Sequence, residues 1–156
     1  MTQVHSRIDA ISEIKRMGKN NGLQLVKDYL YFADSTMLRI WYRSDKARKE
    51  LSRTLLESGV LTKHGKFVDA DIAEYHGIPY GDERYGGELW LANNGVLVSP
   101  DMFNSGKIIK GMHGYAPEHS DSHGTCIAYG LGIEPNLIKD AELTVIHSLL
   151  KKYLHL

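Results

Sequence analysis

Helical spacing of apolar residues alternates with strand-like apolar runs along this chain of 156 residues, and this alternation constrains its fold more than any other feature. Apolar residues from Val4 to Met17 recur at intervals of three and four, which predicts a helix over residues 4–20. Two runs rich in aromatic and apolar residues follow, at 29–32 and 37–42, separated by the polar turn 33–36. They predict a hairpin. Helical and strand patterns therefore both occur in this chain.

Two further helices are predicted from capping residues and apolar stripes. Ser44 is a plausible N-cap for a helix that turns its apolar side chains toward the core and ends near Ser58 and Gly59. Those core residues are Ala47, Leu51 and Leu55. From Asp140 onward, a second stripe predicts a core-facing helix that closes the chain. Its residues are Leu143, Ile146, Leu149, Leu150 and Tyr153.

The middle of the chain combines an irregular segment with a second hairpin. Residues 60–87 lack a sustained period and hold several glycines, so they are interpreted as an insert or lid with a short helix near 69–75. The strand patterns at 88–92 and 96–98 are separated by Asn93, Asn94 and Gly95. Because Asn-Gly favours tight turns, this segment predicts a hairpin.

The composition excludes several classes of function. Nineteen basic and nineteen acidic residues leave no net charge, so neither nucleic-acid binding nor attraction to an anionic membrane is expected. No apolar run reaches the length of a membrane span, and no signal-peptide core is seen, so a cytoplasmic location is expected if Met1 is the true start. The single cysteine, Cys126, rules out an internal disulfide framework, and we expect it to pack in an apolar strand.

A glycine-rich block surrounds His113, in the run Lys-Gly-Met-His-Gly-Tyr at 110–115. A second block, His-Gly-Thr-Cys-Ile-Ala-Tyr-Gly, occupies 123–130. A loop histidine flanked by glycines can bring an imidazole nitrogen close to a bound cation with little steric hindrance. Together the two blocks resemble the closing part of the type I phosphodiesterase/nucleotide pyrophosphatase family, within the alkaline phosphatase superfamily.

This resemblance implies a fold, an activity and a cofactor. The fold is the C-terminal portion of an alkaline-phosphatase-like three-layer α/β/α domain, with residues 1–156 forming one unit. The activity is metal-assisted hydrolysis of a phosphate ester or nucleotide substrate by the complete enzyme, with two divalent ions, usually zinc. By its position in the resembled block, His113 matches a ligand to one ion. A neutral imidazole nitrogen is a good zinc donor.

Each histidine and tyrosine of the two blocks has an alternative explanation. His113 is either the metal ligand or a loop histidine that hydrogen-bonds to nearby backbone. His123 matches a family position that is not a ligand, so it is interpreted as a structural group or one that supports the metal site. Tyr115 either flanks a substrate or packs. His119 is expected to be a solvated loop residue.

The remaining parts of such an enzyme precede the resembled block. The family needs a threonine or serine nucleophile and further aspartate and histidine ligands, and this sequence has no Asp-His-Gly triplet. We therefore expect the isolated chain to be inactive and to hold no metal tightly. The alternative is a non-catalytic binding or assembly module. Because half a domain exposes a sheet edge, we expect homo-oligomers or pairing with another chain.

Overall fold

The computed structural model describes residues 1–107, 109–130, 133 and 141–154. The chain divides into two compact units, Met1–His123 and Gly124–Leu156, whereas the sequence analysis treats 1–156 as one. The strands in chain order are β1 Thr2–Gln3, β2 Ser6–Ile8, β3 Tyr29–Asp34, β4 Met37–Tyr42, β5 Gly65–Phe67, β6 Glu88–Ala92, β7 Val96–Val98 and β8 Gly111–Met112. The α-helices are α1 Ala10–Asn20, α2 Ser52–Leu56, α3 Gly59–His64, α4 Ala70–His76 and α5 Val145–Leu154.

The first predicted helix begins later than its apolar stripe suggests. The helix α1 starts at Ala10, because the carboxylate of Asp9 accepts a hydrogen bond from the backbone N–H of Ser12 at 2.9 Å and caps it. Residues before the cap form β1 and β2 instead. The prediction of helix over 4–20 is therefore wrong at its start. Its C-terminal end is confirmed, since α1 ends at Asn20.

The first hairpin is confirmed and belongs to the largest sheet of the described chain. Strands β3 and β4 pair antiparallel from Tyr29 opposite Tyr42 to Asp34 opposite Met37. The sheet order is β3-β4-β6-β5, and neighbouring strands are antiparallel throughout. Alternate side chains of the hairpin are buried, including Ala33, Leu38 and Ile40, so one face of the sheet carries the main core.

The helix predicted from Ser44 is confirmed. The Ser44 hydroxyl accepts a hydrogen bond from the N–H of Ala47 at 3.2 Å, and a π-helical turn at Ala47–Leu51 continues into α2. Its predicted apolar side chains are fully buried and join the main core with α1 and the sheet. The largest fully buried side chain of this core is Trp90, whose indole N–H donates to the Leu61 carbonyl at 3.1 Å.

The second predicted hairpin is wrong, although its turn forms. The N–H of Val96 donates to the Asn93 carbonyl at 3.0 Å, and Gly95 has φ +80°. The flanking strands then enter different sheets. Both edges of β6 are occupied, by β4 and β5, so β7 pairs in parallel with β2, from Ser6 opposite Val96 to Ile8 opposite Val98. The availability of a strand edge, and not the turn, therefore determines which strand β7 pairs with.

Residues 60–87 are more regular than expected in their first half. The helix α3 begins after the cap residue Ser58, and β5 joins the edge of the four-stranded sheet. The predicted short helix is confirmed as α4, with Asp69 as its N-cap and Gly77 at φ +64° as its C-cap. The helix α4 covers the second face of the sheet through a small cluster that includes Ala73 and Leu89. Only residues 77–87 remain irregular.

The unit Gly124–Leu156 differs from its prediction in two respects. Residues 124–130 form no strand, and Cys126 is exposed, so the expected packing of its thiol in an apolar strand is wrong. The predicted last helix is confirmed as α5, although Asp140 lies outside the described residues. Among the described residues of α5 none is fully buried, and Leu150 is half exposed. The core-facing role predicted for this helix is not seen.

These elements confirm the α/β class at its general level. Within the described ranges, no helix has the length and apolarity needed to cross a bilayer.

Candidate functional site

His113 directly follows β8, a short strand that pairs antiparallel with β1. Thr2 lies opposite Met112 in this pair, so His113 emerges at the Met1 end of the N-terminal strand. The side chain of His113 is exposed. An exposed imidazole next to a paired strand is accessible to a ligand while its backbone is held in place.

Two hydrogen bonds hold the chain immediately after His113, one to the Gly114 backbone and one from the Tyr115 side chain. The hydroxyl of Thr36, in the turn between β3 and β4, donates to the Gly114 carbonyl at 2.8 Å. Gly114 has φ +89°, a conformation that favours glycine, and a Cβ there would lie 3.2 Å from the Thr36 hydroxyl oxygen. The hydroxyl of Tyr115 donates to the Val96 carbonyl at 3.0 Å. The loop is therefore tied to two separate parts of the fold.

The surroundings of Tyr115 support the packing alternative for this residue. Its side chain is 7% exposed and belongs to the main core. Burial also raises the pKa of Tyr115 above its ordinary value. A side chain held in the core with its hydroxyl bonded to backbone is not positioned to flank a substrate.

The other histidines of this region are spread along the loop. His119 is partly buried and precedes the 3₁₀ turn Ser120–Ser122. His123 is exposed, and its backbone N–H donates to the Ser120 carbonyl at 3.1 Å. Among the described residues, no group of three or more His, Cys, Asp or Glu is arranged to hold a metal ion. The described residues therefore contain no complete metal site around His113.

The position of His113 in the sheet differs from the usual position of ligand sites. In open α/β sheets, ligands bind beyond the carboxyl ends of the parallel strands. Here those ends are Ile8 and Val98. His113 follows Met112, which pairs with Thr2, so it lies near the start of the chain and at the amino end of β2. The bond from Tyr115 to Val96, the first residue of β7, is at the same end. The parallel pair by itself therefore does not indicate a site at His113.

A groove along β2 was missed by the sequence analysis. It has a volume of about 340 Å³ and opens between residues 3–7 and residues 109–110. Arg7 and Lys110 line it, and both are exposed. Sequence reasoning placed Arg7 on a helix. The signal that could have identified a strand is the placement of the polar residues Gln3, His5 and Arg7 at every second position, which has the period of a strand.

Comparisons of this chain with models of protein families, with curated proteins and with solved structures find no match.

Proposed function

We propose that this chain is the C-terminal part of a metal-dependent hydrolase of phosphate esters, similar to type I phosphodiesterases and nucleotide pyrophosphatases. The observation that supports the proposal most is the anchored presentation of His113. Its backbone is held by β8 on one side and by the bonds of Gly114 and Tyr115 on the other, while its imidazole is exposed. A ligand histidine needs this combination of fixed position and open access.

The strand β7 supports the α/β part of the proposal. Its three residues, Val96, Leu97 and Val98, are all buried, so both faces of the strand are covered. It pairs in parallel with β2, which is followed by α1. Parallel strands covered on both faces are typical of α/β domains. The alkaline-phosphatase-like arrangement of the complete domain is part of the proposal.

The metal would be shared between this chain and the rest of the enzyme. His113 suits one ion as a nitrogen donor, and the described residues supply no complete ligand set, so the other ligands and the nucleophile would come from elsewhere in the hydrolase. When bound, two divalent ions such as zinc would stabilise the negative charge that develops on the phosphate. The substrate in this proposal is a phosphate ester or nucleotide. The 156 residues alone would be inactive.

A non-catalytic binding or assembly module is the second candidate. One observation favours it, namely that the unit Met1–His123 encloses a core that includes Trp90, Tyr29 and Ile14. Exposed apolar side chains such as Phe103 and Met102 lie on its surface. A unit with its own core persists without further catalytic parts, and exposed apolar side chains favour contact with a partner. Such a module would form homo-oligomers or pair with another chain.

The hydrolase proposal is tested on the native protein, isolated from its source cells with an antibody against this segment. Its intact mass is compared with the 17.6 kDa of the chain, and hydrolysis of bis(p-nitrophenyl) phosphate is followed with and without zinc. We expect a larger mass and zinc-dependent hydrolysis. In the same protein, His113→Ala should reduce the rate more than about 100-fold, since a lost ligand weakens metal binding.

His119→Ala in the same loop is the matched control and should leave the rate within about twofold, because no ligand role is proposed for His119. The zinc content of both variants is measured by mass spectrometry. A native mass of 17.6 kDa with no hydrolysis would overturn the hydrolase proposal and support the binding module. Equal rates and zinc contents in the two variants would overturn the role of His113.

A further inference from the structure

An open groove runs along the edge of β2 that faces away from β7. It has a volume of about 340 Å³, at the lower end of the range of ligand-binding pockets. Its lining residues are Gln3, Val4, His5, Ser6, Arg7, Ile109 and Lys110. One wall is formed by residues 3–7 and the other by residues 109–110.

The hydrogen bonds of β2 show which backbone groups face this groove. The Ile8 carbonyl accepts from the N–H of Ser99 at 3.0 Å, and the N–H of Ser6 donates to the Gly95 carbonyl at 3.3 Å. Ser6 and Ile8 therefore face β7. Because neighbouring residues of a strand point their backbone groups to opposite edges, the N–H and C=O of Arg7 face the groove. Outside the ladder between β2 and β7, neither group has a backbone hydrogen bond to another described residue.

The hydrogen bonds between the two walls are found at one end of the groove. The N–H of Val4 donates to the Lys110 carbonyl at 2.9 Å, which continues the ladder between β1 and β8 by one step. Nearer to Arg7, the only described hydrogen bond to the chain that precedes the second wall is a long one of 3.4 Å, from the Arg7 guanidinium to the Gly106 carbonyl. The groove lies beside this edge, which has both a donor and an acceptor.

The charge of the groove is positive. Arg7 and Lys110 are cationic, and none of the described lining residues is acidic. Within the described parts of the chain, neither residue forms a salt bridge. Val4 and Ile109 add apolar surface between the charges. A small inorganic anion would use the charges but would leave the Arg7 carbonyl and the apolar surface unused.

We propose that this groove binds an extended, acidic peptide segment of a partner chain, which adds as a strand to the edge of β2. The segment pairs its backbone with the N–H and C=O of Arg7, since strand addition uses main-chain bonds for affinity. Its carboxylates face Arg7 and Lys110, and its apolar side chains contact Val4 and Ile109. This inference does not depend on the proposed hydrolase, because it concerns binding alone.

The probe is a fluorescein-labelled hexapeptide of alternating valine and glutamate, titrated with the full chain at low salt and followed by fluorescence anisotropy. We expect binding by the wild type and an affinity lower by about tenfold or more in Lys110→Glu, where the charge is reversed. Lys66→Glu, an equal charge change at an exposed residue of β5 outside the groove, should bind like the wild type. Far-ultraviolet circular dichroism checks that both variants fold.

Two further probes separate strand addition from simple charge attraction. The same peptide with N-methylated valines cannot donate its backbone hydrogen bonds, and we expect it to bind about tenfold or more weakly. Inorganic phosphate should not displace the unmodified peptide at equal ionic strength. Undiminished binding of the N-methylated peptide would overturn the proposal, and so would displacement by phosphate, which would indicate an oxyanion site. Equal binding of a peptide with lysine in place of glutamate would overturn it as well.

Discussion

Gly65 lies directly against Trp90, so that the indole ring occupies the space where a side chain at position 65 would begin. The backbone carbonyl of Leu91 closes the same space. Trp90 is fully buried in the main core, so its ring can shift only by displacing other core residues. We therefore expect Gly65→Ala to lower the free energy of unfolding by about 1–3 kcal/mol, the usual cost of overpacking a core. Urea denaturation followed by tryptophan fluorescence measures the change.

Gly59→Ala is the matched control for this experiment. A Cβ at Gly59 meets no atom within 4 Å, and the residue begins α3, where alanine is the better helix former. Stability should stay the same or rise by up to about 1 kcal/mol. Equal destabilisation by both substitutions would show that the contact between Gly65 and Trp90 is not the cause.

The bond from Tyr115 to Val96 anchors the loop that carries His113, and its loss should cost stability. Tyr115→Phe keeps the buried ring but leaves the Val96 carbonyl without this donor. We expect the free energy of unfolding to fall by about 0.5–1.5 kcal/mol. Tyr75→Phe, at a tyrosine that is 74% exposed, should cause no measurable change. If thermal and urea denaturation show the two variants to be equally stable, the buried bond does not contribute.

The carboxylate of Glu13 links α1 to the start of α3 and should make stability depend on acid pH. It accepts two bonds from the Arg16 guanidinium, at 2.8 and 2.9 Å, and one from the Ser58 hydroxyl at 3.1 Å. The bond from Arg16 lowers the pKa of Glu13 below its ordinary value of 4.5, with a smaller contribution from Ser58. Because the folded pKa is lower, the stabilisation is present above about pH 4.5 and is lost as pH falls through the folded value.

Glu13→Gln tests this linkage. The variant should be less stable than the wild type at pH 7, and the difference should be smaller at pH 3, because protonation of the wild-type carboxyl increases as pH falls toward its lowered folded pKa. Glu57→Gln, which alters an exposed pair with Arg53, should show little difference at either pH. A deficit in Glu13→Gln that is the same at both pH values would contradict the ionic origin of the effect.

Val26 holds a backbone conformation that β-branched residues rarely adopt, with φ +75°. Its N–H donates to the Tyr29 carbonyl, and its carbonyl accepts from the Arg43 guanidinium at 2.6 Å. Such strain costs about 1–3 kcal/mol, and the side chain is 58% exposed, so its removal loses little burial. Val26→Gly should therefore leave the protein equally stable or make it more stable by about 1 kcal/mol.

Val60→Gly provides the comparison, since Val60 is also partly exposed but lies in the helix α3. There the same substitution should cost roughly 1 kcal/mol, because glycine is a poor helix former. Differential scanning calorimetry of both variants measures the contrast. Destabilisation of Val26→Gly as large as that of Val60→Gly would show that Val26 is not strained.

Several features of the fold follow from the sequence because their causes are local. Two runs rich in aromatic and apolar residues predict the pair β3 and β4, and Ser44 with the apolar stripe after it predicts the helix that follows. The turn at Gly95 forms as its Asn-Gly sequence predicts. In each case the decisive hydrogen bonds join residues at most a few positions apart, or the two arms of a single hairpin. Nearby residues therefore carry the whole signal.

Only the tertiary structure decided which strands pair and which side chains of the His113 region are buried. The sequence predicts a turn at Gly95, but β6 already has β4 and β5 at its edges, so β7 pairs with β2. Tyr115 becomes a core residue because Val96 is beside it, 19 positions away in sequence. The groove at Arg7 opens where residues 109–110 leave the same strand. Such contacts depend on competition between distant segments for strand edges and for space in the core. The spacing of residues along the chain does not predict the outcome of this competition.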